Sequence, residues 1–474
     1  MAINETRVEK SVSKPVFAQV KGEILNKLDL RRDMEDGEVL DAIEDIVLRK
    51  SGERYFPLAE RRRLTERVFN SIRRLDIIQP LVDDARISEI MVNGYRDIFV
   101  ERDGKVIKTG LEFETVEKLE DVIQSIVSKV NRTVNEASPI VDARLEDGSR
   151  VNVVLRPIAL DGPVLTIRKF PDKPMSVERL LTLNSLDDRI ARFLNILVRA
   201  RYNMFISGGT GSGKTSLLNA IAAMIPEDER VITIEDSAEL QLKALKNLVR
   251  LETRNANTEG RGQIDMGSLI KSSLRMRPDR IIVGEVRDGF AAYYMLQSMN
   301  TGHDGSLTTG HANSAPDMLS RLETMVLSEE AVPLEAVRHQ ITSAIDLIIH
   351  VARLRDGSRK IVEISELDGM SEGGIKLNKL FEFAESGAGS GGAANGGANT
   401  GAGANAGVGA GVDVGVGAGV GEKYYGVAQD NDGVTAGDKG AVSGCFRYTG
   451  NMLRNTAKLG LAGLQSEYGA LFGE

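Results

Sequence analysis

Residues 203–215 read Asn203-Met204-Phe205-Ile206-Ser207-Gly208-Gly209-Thr210-Gly211-Ser212-Gly213-Lys214-Thr215. A short apolar run leads straight into a glycine-rich octapeptide that ends in Lys-Thr. Glycines let the backbone curl so that successive N–H groups face one centre. The helix that the pattern predicts from about Thr215 adds the positive end of its dipole. This is how a chain holds phosphate. Lys214 is placed to reach the β and γ phosphates of a nucleotide, and Thr215 to ligate Mg²⁺. The nucleotide-binding set is Gly208, Gly209, Thr210, Gly211, Ser212, Gly213, Lys214, Thr215 and Ser216. A glycine-rich turn carrying Lys-Thr by chance would have no reason to follow a strand and open a helix.

Downstream, the apolar runs Val231–Ile234 and Arg280–Val283 alternate with helical segments. Such alternation predicts a mostly parallel sheet with helices on both faces. The first run delivers Glu235 and Asp236; the second delivers Gly284 and Glu285. An acid after a strand is by itself more often a solvated loop residue. In a parallel sheet, however, the C-terminal strand ends gather round the ligand crevice. Phosphoryl transfer needs one carboxylate for water and another near Mg²⁺. His303 and His311 stand eight residues apart with no cysteine nearby, which suits a γ-phosphate sensor better than a zinc site.

Working outward, the residues before Asp76 carry apolar positions at helical spacing, and 1–76 reads as a helical domain. The basic run Arg61-Arg62-Arg63 sits where acids and bases nearly balance, so it reads as a solvated helix face. Residues 77–170 mix short β-rich runs with one helical stretch around Leu119–Val130 and read as a small α/β domain. Pro171 and Pro174 mark a linker to the nucleotide-binding domain, 171–385. Residues 386–421 hold 15 glycines in 36, a composition that cannot offset its ordering entropy and is expected to form a flexible insertion. Residues 422–474 are expected to dock back on the core, with an amphipathic helix through Met452, Leu453, Leu459 and Leu464.

The 474 residues carry a net charge of −8, which argues against a surface built to hold nucleic acid. The one cysteine, Cys445, fits a reducing compartment. The charged N-terminal decapeptide and the lack of an 18-residue apolar run lead to the expectation of a cytoplasmic protein that meets a membrane through partners.

The order of motifs is phosphate loop, VITIED at 231–236, RPDRIIVGEVR at 277–287 and the histidine run. It resembles the Walker A, Asp-box, Walker B and His-box set of the type II/type IV secretion ATPases. SEIMVNG at 88–94, VDARLEDGSRVN at 141–152, LTIRKF at 165–170 and MNTGHDGSLTT at 299–309 look most like the tight-adherence (Flp) pilus assembly ATPase, the CpaF/TadA type. The resemblance implies a RecA-like P-loop core behind a small α/β domain and a homohexameric ring. It also implies ATP and Mg²⁺ as cofactors, with an inner-membrane platform protein and pilin components as partners. By position, Lys214 and Thr215 take the Walker A roles, Glu285 is the water-activating carboxylate and Glu235 takes the Asp-box role near Mg²⁺ and water; either glutamate can be the base, and Thr215, Glu235 and Glu285 form the Mg²⁺ set, through nucleotide or water. His303 and His311 match the His box, and Arg144, Arg150, Arg156 and Arg168 are candidates to approach the γ-phosphate. The alternatives are a nucleic-acid-translocating or conjugation-type motor and a nucleotide-binding scaffold without turnover.

Overall fold

Val39, Ile43, Ile46 and Val47 fall on one face of a helix, and that stripe needs a partner. The structure is a computed structural model. It describes residues 14–27, 34–385 and 442–473, apart from 54, 103, 131, 171–173, 255, 257–260 and 372. The expected insertion at 386–421 lies outside the described residues. The chain divides into two compact units, up to Pro174 and from Met175.

In the first unit, α1 (Lys14–Lys27), α2 (Asp36–Glu53) and α3 (Leu58–Arg73) close the stripe against Phe17, Val20, Ile24, Leu64 and Val68. A turn at Asp76–Ile78 and the short α4 (Gln79–Asp83) lead into the sheet. Its elements are β1 (Ile87–Asn93), β2 (Asp97–Arg102), β3 (Lys105–Lys108), α5 (Val116–Lys129), β4 (Ile140–Arg144), β5 (Arg150–Val154) and β6 (Val164–Arg168). The strand order is β3-β2-β1-β6-β5-β4, and every pairing is antiparallel. Alternation turns Ile90, Val92, Val153 and Leu165 to one face, where Leu119, Ile123 and Ile126 of α5 cover them. Lys118 of α5 reaches Asp76 at 3.6 Å, so the helical and α/β segments of this unit meet at the turn.

The second unit comprises α6 (Val177–Thr182), α7 (Asp188–Arg199), β7 (Met204–Gly208), α8 (Lys214–Ala222), β8 (Arg230–Glu235), β9 (Asn247–Glu252), α9 (Met266–Ser273), β10 (Arg280–Val283), α10 (Gly289–Asn300), β11 (Leu307–His311), α11 (Ala315–Glu329), α12 (Leu334–Ala344), β12 (Leu347–Arg353), β13 (Arg359–Ser371), β14 (Gly374–Glu385), β15 (Gly444–Tyr448), α13 (Ala457–Ala462) and α14 (Gln465–Phe472). One nine-stranded sheet runs β15-β14-β13-β12-β7-β11-β10-β8-β9. The strands from β12 to β9 are parallel; β13, β14 and β15 continue the sheet antiparallel. Met204 and Ile206 of β7 enter the core beneath α7 and α8, while Phe205 enters the opposite one beneath α9 to α12. The result is a RecA-like α/β core with the phosphate-loop strand in its middle. Asp187, Asp265, Asp288 and Ser314 cap α7, α9, α10 and α11 by accepting from backbone N–H groups. Arg280 opens the apolar β10 from full burial because Glu229 accepts from it through both carboxylate oxygens, at 2.7 and 2.8 Å.

The tail differs from its reading. Gly463 interrupts what the apolar spacing presents as one helix. The chain forms α13 and α14 instead, with Gly463 left-handed at φ +67° and Met452 and Leu453 lying before both. Leu459, Leu464 and Tyr468 are buried with Phe193 and Phe381. The Glu366 carboxylate accepts from the Arg454 and Asn455 N–H groups at 2.8–3.1 Å. Glu385 of β14 pairs directly with Gly444 of β15, so the chain leaves and re-enters at one point. Replacing residues 386–443 by a four-residue turn is therefore expected to keep the fold of the second unit. Since loop closure scales as (3/2)RT ln n, it should also stabilise the second unit by roughly 2 kcal/mol in a denaturant titration. Loss of tail docking in that variant would oppose this expectation.

Candidate active site

β7 ends at Gly208, where only glycine fits: a Cβ there would stand 2.3 Å from the Val351 carbonyl oxygen and 2.6 Å from Ser212 Oγ. The loop returns at Gly213, φ +98°, into α8, which has no side-chain cap. Its first N–H groups are thus left for an anion. Lys214 is 7% exposed and folds back along the loop, with Nζ donating to the Gly208 and Gly209 carbonyls at 3.1 and 3.0 Å. Arg359, from the start of β13, donates to the Gly211 carbonyl at 2.9 Å and braces the loop from outside. Thr215 and Ser216 occupy the first turn of α8, both partly exposed.

The parallel register brings the candidate acids to the same edge. Glu235 ends β8, Glu285 lies just past β10, and His311 ends β11 directly beside Gly208. Glu235 is 3% exposed. Its Oε1 accepts from the Glu239 and Leu240 N–H groups at 2.8 and 3.0 Å. Its Oε2 is buried with no hydrogen-bond partner among the described residues. Burial pushes the carboxyl up to about 7, against these two hydrogen bonds, which lower it. Gly284 makes room for it, since a Cβ at 284 would lie 2.9 Å from Glu235 Cγ. Glu285 is gripped from two sides. Arg287 donates to its Oε2 at 2.9 and 2.6 Å, and His311 Nδ1 meets its Oε1. Arg287 also donates to Asp236 at 3.0 Å, tying the ends of β8 and β10 together. The Thr215 hydroxyl and the orphaned Glu235 oxygen are hard oxygen donors of the kind Mg²⁺ takes.

His303 does not join them. It precedes β11 and bonds the Ser298 carbonyl at 3.2 Å. β11 runs parallel to β7, so the chain enters it at the edge opposite the phosphate loop. The whole strand separates the two histidines, roughly 13 Å of rise. The eight residues from one histidine to the other make one traverse of the sheet.

In the first unit, Arg144 of β4, Arg150 of β5 and Arg168 of β6 stand directly opposite one another in register. They form a row on one face of the sheet. Arg156 lies beyond β5, exposed and outside the row. Sequence reading passed over two residues of the second unit. Arg287 stands two residues after the acid it holds, and that position is its signal in the sequence. Arg359 reaches the loop from 148 residues away, and no local pattern announces it. A cavity of about 240 Å³ also borders the loop at Ser212, Gly213 and Ser216, with apolar walls from Met175, Leu180, Leu186, Leu217 and Ile361.

The chain belongs to the type II/IV secretion system ATPase family: the family described as "Type II/IV secretion system protein" matches residues 72–382. The conjugal transfer protein TrbB of Rhizobium radiobacter is 37% identical over 292 residues, covering 61% of this chain and 86% of that one. The type IV secretion system protein VirB11 of Bartonella henselae is 31% identical over 331 residues, covering 61% and 91%. An uncharacterized protein of Methanocaldococcus jannaschii is 43% identical over 244 residues, and the match spans 50% of this chain but only 33% of that longer one. The solved ATPase DotB of Legionella pneumophila overlays with a TM-score of 0.46 at 25% identity, covering 61% of this chain and 80% of that one. Among the described residues no helix is long and apolar enough to cross a membrane.

Proposed function

We propose that the chain is a Mg²⁺-dependent ATP hydrolase, a homohexameric motor that couples turnover to movement of an inner-membrane platform protein. Its motifs favour tight-adherence (Flp) pilus assembly, the CpaF/TadA type, with pilin components downstream and the motor held at the cytoplasmic face of the membrane by its partners. The observation that carries the reading is the gathering of the phosphate loop, Glu235, Glu285 and His311 on one sheet edge. Lys214 exchanges its loop carbonyls for β and γ phosphate oxygens. The α8 N-terminus takes the remaining phosphate charge. Thr215 and Glu235 would hold Mg²⁺, which supplies charge neutralisation across the β and γ phosphates when bound. Glu285, oriented by Arg287 and His311, accepts a proton from the attacking water. Arg144, Arg150 and Arg168 are our candidates to neutralise charge on the γ-phosphate. The apolar cavity beside the loop suits a flat purine.

Phosphate release and mass in solution, read together at several protein concentrations, test this. The parent is expected to form a hexamer whose specific activity rises with assembly. Lys214→Ala should abolish nucleotide binding, and Arg150→Ala should lower turnover while keeping it. A monomer that binds ATP and releases no phosphate would sink the motor and favour the non-hydrolysing scaffold. A second reading, conjugation-type export, draws support from the relative named as a conjugal transfer protein. The net charge of −8 weighs against direct grip on nucleic acid. Salt-sensitive DNA binding that stimulates turnover would reverse that judgement.

A further inference from the structure

Val351 of β12 stands in register with Gly208, so the turn that joins β12 to β13 reaches past the end of β7, beside the phosphate loop. That turn is closely held. Leu354 N–H donates to the Ser358 carbonyl at 2.8 Å and Gly357 N–H to the Leu354 carbonyl at 2.9 Å, with Gly357 left-handed at φ +85°. Asp356 Oδ1 accepts from the Ser358 N–H and hydroxyl at 2.9 and 2.7 Å, and its Oδ2 accepts from the Val442 N–H of the tail at 2.8 Å. On the other side of Arg359, the buried Lys360 donates to the Asn184 carbonyl at 2.8 Å. Arg359 therefore projects from a backbone anchored before and after it. Its Nε donates to the Gly211 carbonyl at 2.9 Å, and its Cδ lies 3.2 Å from where a Cβ of Gly213 would stand.

What this bond fixes is the orientation of a peptide plane. Gly211 is left-handed at φ +70° and Gly213 at φ +98°, and glycine's wide range of backbone angles leaves the 211–212 plane free to turn unless something outside the loop holds it. In a trans peptide the carbonyl and the following N–H point opposite ways. Holding the Gly211 oxygen toward Arg359 thus turns the Ser212 N–H the other way. There it meets the Gly209 carbonyl at 3.3 Å, the same oxygen that Lys214 Nζ holds.

We propose that Arg359 is a positioning residue for nucleotide binding: by holding the Gly211 carbonyl outward it keeps the Ser212 N–H turned into the loop, where a phosphate oxygen takes it. The proposal rests on the ATPase reading above. The loop grips the nucleotide alike before and during phosphoryl transfer, so the effect falls on affinity and KM and not on kcat.

The test compares the full-length parent with Arg359→Met, which keeps an apolar stem and removes the donor, and Arg359→Gln. The glutamine amide nitrogen lies the same number of bonds from Cα as arginine Nε, so it donates to the same carbonyl without a charge. The pair separates a brace from a positive charge beside phosphate. Affinity for a fluorescent ATP analogue, kcat and KM for phosphate release, and hydrogen exchange over residues 209–214 without nucleotide are measured for each. The expected result is a roughly tenfold loss of affinity in the Met variant, with KM raised alike, kcat within about threefold, and faster exchange at Ser212. The Gln variant should recover affinity to within about threefold of the parent, and the slow exchange with it. A Met variant with parental affinity overturns the proposal. So does a Gln variant as weak as the Met variant, which would assign the effect to charge, or a Met variant that loses kcat at unchanged affinity. A parent that binds the analogue but releases no phosphate sinks the ATPase reading, and the contrast in affinity between Met and Gln then decides this proposal by itself.

Discussion

Glu285→Gln is expected to cut phosphate release roughly a hundred- to ten-thousandfold, the range a general base contributes, while ATP affinity stays within about threefold. The amide keeps the volume and can still accept from Arg287, so the two strand ends remain joined, but it takes no proton from water. The geometry selects Glu285 over Glu235 as that base. Glu285 is partly accessible, with an arginine on one oxygen and a histidine on the other. Glu235 turns one oxygen into the backbone of 239 and 240 and is almost wholly buried. Single-turnover phosphate release with a parallel binding titration makes the comparison. If Glu285→Gln retains more than about a tenth of the rate and Glu235→Gln retains none, the two roles are exchanged.

The parts of this site that could be read from sequence are those whose geometry is local. Strand, glycine loop and helix follow one another within 203–222, so the periodicity and the turn chemistry speak for themselves. Glu235 and Glu285 were legible because each follows its own apolar run and parallel strands end at one edge. The histidines show where that logic stops. The resemblance to a His box put His303 and His311 in one motif, but whether eight residues make a turn or a full strand is a question of register. The arginines show the converse. Arg144, Arg150 and Arg168 are separated in sequence and adjacent only through the β4-β5-β6 pairing, while Arg156 had the same residue type without the register. Arg359 reaches the phosphate loop across well over a hundred residues, and partner choice at that range follows from packing. The strand β15 was hidden for another reason: its partner β14 lies on the far side of a low-complexity stretch, and a strand added at a sheet edge leaves no mark on its own sequence beyond a few aromatic residues.

At pH 8, Glu235→Gln is expected to raise the stability of the nucleotide-free protein by about 3 kcal/mol, and at pH 5 to change it little. In the folded chain, burial holds this carboxyl up to about 7, against the ordinary 4.5. Between those values the folded state keeps a proton that the unfolded state releases. The folded state therefore binds more protons across that window, and the parent loses stability as pH rises through it. Above about 7 the folded protein carries a buried carboxylate with one unsatisfied oxygen. Below 4.5 both states are protonated and the difference vanishes. The amide stays neutral throughout and keeps an oxygen for the Glu239 and Leu240 N–H groups. Denaturant midpoints at pH 5, 6, 7 and 8 give the profile, and a gain of equal size at pH 5 and pH 8 would sink the explanation. Mg²⁺ with ATP should narrow the gap at pH 8, because a cation at the free oxygen stabilises the parent and has no charge to meet in the variant. A carboxyl that destabilises the empty protein and is relieved by the metal-bound substrate is the expected signature of a ligand held in reserve, where stability is given up for function.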